Sequence, residues 1–88
     1  MLEINLGDVV VSIQGRDAGQ KYIVSSINNE YVFLVNGKNR TFAKLKKKKI
    51  KHIRPTGQKC VSLYEKLLNK NKILDSEIRK TIDNLNII

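Results

Sequence analysis

Apolar residues in this chain come in short β-branched bursts as far as Ile53, and at helical spacing after Gly57. Leu2, Ile4 and Leu6 alternate at period two and predict an extended lead-in. Val9, Val10, Val11 and Ile13 predict a first strand over about Asp8–Ile13, and Ile23 and Val24 a second over about Lys21–Ile27. Asn28-Asn29 is a turn signal, since asparagine tolerates left-handed geometry. Tyr31–Val35 is the most apolar run and predicts a central strand. Asn36-Gly37 predicts a tight type I′ hairpin into a fourth strand near Arg40–Ala43. Leu45 and Ile50 would then tack a basic segment to the sheet with its lysines outward, and a short fifth strand, Ile50–Arg54, would end at Pro55-Thr56-Gly57. Five short strands with tight turns predict a small, strongly bent barrel.

Beyond Gly57 the period changes. Val61, Tyr64, Leu67 and Leu68 predict a helix over about Gln58–Asn69, and Asn69-Lys70-Asn71-Lys72 breaks it. Asp75 is placed as the N-cap of a second helix, with Glu77 in its first turn and an apolar stripe of Ile78, Ile82 and Leu85. Helices this short need a surface to pack on. The expected class is mainly β with a C-terminal α extension: a barrel over 1–56, then a helical hairpin over 57–88 packed on or beside it.

The connection between the first two strands, Gly15-Arg16-Asp17-Ala18-Gly19, carries the most local information. Its two glycines permit positive φ, and the Asp17 carboxylate can accept local N–H groups and hold the turn in one shape.

Charge sharpens the picture. The chain of 88 residues carries a formal charge of +9. Residues 31–64 hold Lys38, Arg40, Lys44, Lys46, Lys47, Lys48, Lys49, Lys51, Arg54 and Lys59 without one acid. A polyanion partner is implied for that stretch, against the plainer reading of a solvated, solubilising face. There is no apolar run of the roughly 18 residues that a membrane span needs, and the start Met1-Leu2-Glu3-Ile4 does not resemble a signal peptide. With the single Cys60, this predicts a cytoplasmic protein without a disulfide framework; a monomer is expected, though these features do not fix it.

Gly7, Gly15 and Gly19, with the apolar strand positions around them, resemble the KOW motif of ribosomal large-subunit proteins and of transcription factors of the NusG type. The archaeal and eukaryotic ribosomal branch is the more similar, through the Gly15–Gly19 loop, Val35-Asn36-Gly37 and Lys51-His52-Ile53-Arg54-Pro55. The resemblance covers about Leu6 to Pro55, while the tail after Pro55 looks like that of small bacterial KOW proteins. It implies a five-stranded SH3-like barrel and RNA contact by the loop. Arg16 there can offer its planar fork to a phosphate or stack on a base; most of the five aromatics are expected in the core, though Tyr22 beside the loop is a candidate stacking platform.

The candidate RNA-contacting set is therefore Arg16, Asp17 and Lys21 at the loop, with Lys38, Arg40, Lys44, Lys46, Lys47, Lys48, Lys49, Lys51, His52 and Arg54 beyond it, while Gly15 and Gly19 shape the turn. Structured RNA, ribosomal RNA by resemblance, is the expected partner. The alternative is a protein-interaction module of a transcription or translation factor, working through barrel or helices. His52 and Cys60 alone make no metal site, because structural zinc needs four ligands. Cys60 reads as a small buried apolar residue. No paired acids, triad or phosphate-cradling motif appears, so neither a cofactor nor an enzymatic reaction is expected.

Overall fold

In the computed structural model, residues 4–59, 61–69 and 73–85 are described. The expectations for Leu2, Cys60 and the break at Lys70–Lys72 fall outside these residues, as do the side-chain positions expected of Val61 and Leu85. Five strands form one antiparallel sheet in the order β4-β3-β2-β1-β5. They are β1 (Asp8–Ser12), β2 (Lys21–Asn28), β3 (Tyr31–Val35), β4 (Lys46–Lys49) and β5 (Ile53–Lys59), followed by helices α1 (Val61–Leu68) and α2 (Asp75–Leu85). No helix among the described residues is long and apolar enough to cross a membrane.

A single 3₁₀ turn, Ile50–His52, joins the two edges of the sheet. In a flat sheet β4 and β5 would lie about 19 Å apart, at ~4.8 Å per neighbour. Four residue steps reach at most about 14 Å. The sheet must therefore curl, and the result is the small SH3-like barrel type that the resemblance implies. Register shifts at Asp8/Val10 and Val24/Ser26 supply local bends.

The runs Val9-Val10 and Tyr22-Ile23-Val24 are continuous rather than alternating because this sheet is covered on both faces. Val10, Tyr22, Val24, Val32, Leu34 and Ile53 fill the barrel interior. Their neighbours Val9, Ile23 and Val35 face the other way and join Leu63 of α1 with Ile78 and Ile82 of α2 in a second core. Lys66 Nζ donates to Glu77 Oε2 at 2.7 Å, tying α1 to α2.

Four local expectations are corrected. The fourth strand is the lysine run itself, β4, paired with β3 from Tyr31↔Lys49 to Leu34↔Lys46, and Arg40–Ala43 lies in the loop before it. The cause is Asn36, whose side-chain oxygen accepts the N–H groups of Lys38 and Arg40 at 2.9 and 3.0 Å and opens a wide turn instead of a two-residue hairpin. The fifth strand starts after the 3₁₀ turn and continues through Pro55–Gly57 to Lys59, since an edge strand tolerates proline. The first helix accordingly begins only at Val61.

Asp75, last, is not the N-cap. The Leu74 carbonyl accepts the first helical N–H groups, from Glu77 and Ile78, while Asp75 Oδ1 accepts the Phe42 N–H at 3.2 Å. Gly37 lies against this helix start, so that a β-carbon there would come within 2.4 Å of the Asp75 carbonyl oxygen. The loop after β3 thus seats α2.

Ile78→Ala should cost about 2–5 kcal/mol of unfolding free energy, as buried large-to-small changes do. Leu68→Ala, at a residue 54% exposed, should stay within about 0.5 kcal/mol. Urea unfolding measures both, and equal midpoints for the two variants would show that α2 contributes no core.

Candidate nucleic-acid interface

The loop between β1 and β2 closes through its own backbone. Gly19 N–H donates to the Ser12 carbonyl at 2.7 Å, and Gly15 and Gly19 take φ of +87° and +92°, where a β-carbon is strained. This conformation turns Asp17 inward. Its Oδ1 accepts from Ser12 Oγ at 2.9 Å and from Lys48 Nζ at 2.5 Å, and its Oδ2 accepts from Tyr22 OH at 3.0 Å. The Lys48 ammonium also donates to the Gln14 carbonyl at 2.6 Å.

Lys48 therefore does not point outward with its neighbours. It is buried at 9% exposure, its side chain crossing from β4 to the glycine loop. Tyr22, at 2% exposure, is no stacking platform, because its ring is core and its hydroxyl serves Asp17. Burial pushes the Asp17 carboxyl up, but the donors Lys48, Ser12 and Tyr22 outweigh it and bring the pKa from 3.8 to about 2. Burial and the neighbouring carboxylate push the Tyr22 hydroxyl from 10.0 up to about 12.

Above this bridge lies a cleft of about 430 Å³. Arg16 comes to it from the loop, Arg40 from the turn that Asn36 opens, and Lys46 from β4, with Gln20 and Asn39 between them. Lys46 Nζ stands 4.0 Å from Asp17 Oδ2, and among the described residues neither Arg16 nor Arg40 has an ion pair. Four cations thus border one carboxylate whose oxygens already have donors. Such a cleft can take an anion.

The other candidates spread along the barrel. Lys47 lies over the Tyr31 ring at 4.3 Å, and exposed Lys38 stands 3.6 Å from Asp83. Lys21 is half-buried on β2, and Lys44 is exposed before β4. Lys49, Lys51 and Arg54 line a second pocket at the 3₁₀ turn, where the His52 carbonyl accepts the Ile13 N–H at 3.0 Å. Gln20, Asn39 and Ser12 join the site without any signal in the sequence. Asp17 had one, as an acid inside a glycine turn of a strongly basic chain.

The fold and this surface define a small, basic protein of SH3-like barrel type with a C-terminal helical extension. No family model matches the chain. It is similar to large ribosomal subunit protein eL14 of Pyrobaculum aerophilum, 36% identical over 81 residues that make up 91% of this chain and 72% of that protein. The eL14 proteins of Pyrobaculum arsenaticum and Pyrobaculum islandicum are each 40% identical over 57 residues, 64% of this chain. The chain spans about half the length of these two, 55% in each case. It belongs to the eL14 family of large-subunit ribosomal proteins.

The Asp17 shift makes stability depend on acid. A carboxyl whose pKa is lower in the folded state stabilises fully above its unfolded value near 3.8, and loses that contribution as pH falls through about 2. The amount is about 2 kcal/mol. Tyr22 acts oppositely, with a contribution intact below pH 10.0 and lost as pH rises through about 12. Urea unfolding of Asp17→Asn against the wild type should show lower stability at pH 7 and a shallower decline between pH 4 and pH 2. Parallel declines would assign the acid sensitivity to other carboxyls.

Proposed function

We propose that this chain binds structured RNA as a component of the large ribosomal subunit, in the cytoplasm, and catalyses no reaction. The observation that carries the reading is the meeting of Arg16 with Arg40 and Lys46, which lie well downstream of it in the chain, around one cleft beside the glycine loop. Phosphates recognised there displace counterions without reading bases, which suits recognition of RNA by shape. Lys47, Lys49, Lys51 and Arg54 extend the contact along the barrel, whereas Lys48 and Asp17 support the surface from beneath. The eL14 relatives, named as proteins of the large ribosomal subunit, make ribosomal RNA the favoured target.

A second reading, a module that docks another protein, rests on Leu68 and Leu74, which remain 54% and 51% exposed. Among the described helical residues, however, Leu63, Ile78 and Ile82 already lie within the second core. The RNA reading is the stronger.

Fluorescence anisotropy with fragments of large-subunit ribosomal RNA, across a salt series, tests it. Arg16→Ala combined with Arg40→Ala should weaken binding, with unfolding unchanged. The salt slope should fall by very roughly 0.7–0.9 for each phosphate that the variant no longer neutralises. Lys48→Glu, by contrast, should unfold the barrel by setting two carboxylates together. An unaltered affinity and slope in the arginine variant would remove the cleft from the interface.

A further inference from the structure

A pocket of about 580 Å³ opens beside the 3₁₀ turn, outside the Arg16–Arg40–Lys46 cleft. Ile13 and the half-buried Ile50 form its apolar wall, with the buried Ile53 behind them, and Ile13 is left 41% exposed. Ile13 thus offers apolar surface inside a basic rim. Lys49, Lys51 and Arg54 stand around the same pocket, so its occupant carries negative charge.

The opposite wall is the turn between β2 and β3, where Asn29 takes a left-handed φ of +56° and Glu30 follows it. The Glu30 carbonyl accepts the Ile50 N–H at 2.8 Å, fixing this wall against the floor. Among the described residues, Glu30 has no ion pair, although three cations share its pocket. A carboxylate repels phosphate, but it accepts well from the exocyclic amine of a nucleobase, and an asparagine amide can pair with a base edge.

We propose that this pocket binds one unstacked nucleotide of the RNA, its base on Ile13 and Ile50 and its amino group on Glu30, with its phosphates on Lys49, Lys51 and Arg54. Adenine, cytosine and guanine each offer an exocyclic amine to Glu30, whereas uracil has none. This rests on the RNA reading above, since an unstacked base arrives only with its strand. It goes further in giving the protein a preference for a base at one position, where the cleft recognises phosphates alone.

Isoleucine-methyl NMR of the full chain tests the pocket. AMP and CMP should move the Ile13 and Ile50 methyl signals at concentrations about five-fold or more below those UMP requires, the discrimination of one good base-edge contact. Inorganic phosphate should leave those methyls still. Glu30→Ala should fold normally and lose the preference. Equal responses to AMP and UMP, or methyls silent at saturating AMP, would overturn the proposal. So would methyls that respond only to an acidic peptide with apolar side chains, which would make the pocket a protein-docking site. A structured RNA hairpin, followed by anisotropy in parallel, separates the two readings. A hairpin that binds while the methyls stay silent sinks the pocket and leaves the RNA reading standing, and a hairpin that does not bind at all sinks both.

Discussion

One buried ion pair ties the basic face together. The Asp17 carboxylate lies against the Lys48 ammonium, with Ser12 and Tyr22 donating to the same two oxygens. Taking a lysine out of water is costly, and leaving it there without its partner costs roughly 3–5 kcal/mol. Here every strong donor and acceptor has a partner, down to the Gln14 carbonyl. The pair joins the glycine loop to an edge strand that would otherwise have little reason to pair. Four consecutive lysines repel one another, and the bonding of β3 to β4, this inward lysine and the contacts of Lys46 with Asp17 and of Lys47 with Tyr31 hold them in register.

The consequence is a division of labour among residues that look alike. Lys48 is structural, and Lys47 lies over an aromatic ring. Lys46 faces the cleft with Arg16 and Arg40, while Lys49 belongs to the isoleucine pocket around the corner of the barrel. The strand's alternation sends neighbouring cations to different places. A basic surface arises from a run of charge that, as an isolated segment, would be disordered.

That alternation was not legible in the sequence, because four identical residues have no pattern. The strands β1, β2 and β3 were, since their β-branched bursts are what a sheet covered on both faces requires. The helical stripe was legible too, at Ile78 and Ile82. The fourth strand was missed because Asn36 captures two N–H groups and widens a turn whose residues otherwise favour a tight hairpin. Tyr22 was misread because its partner is set by the shape of the glycine loop. The sequence offered the candidate site only as two separate signals, an acid-free basic stretch over residues 31–64 and a glycine turn at 15–19. Its cleft was not legible, since Arg16, Arg40 and Lys46 meet only once the strands are paired. Asp17 and Lys48 are 31 residues apart, and nothing local in the chain announces that separation as a contact.

A double-mutant cycle on Asp17 and Lys48 tests the central claim most directly. Urea unfolding of Asp17→Asn, Lys48→Met and the double variant at pH 7 yields their coupling energy. If the pair holds the loop to β4, the double variant should be more stable than the sum of the single losses implies, by roughly 1–3 kcal/mol for two groups in one network. Losses that simply add would contradict the account, for the two side chains would then be neighbours without being partners.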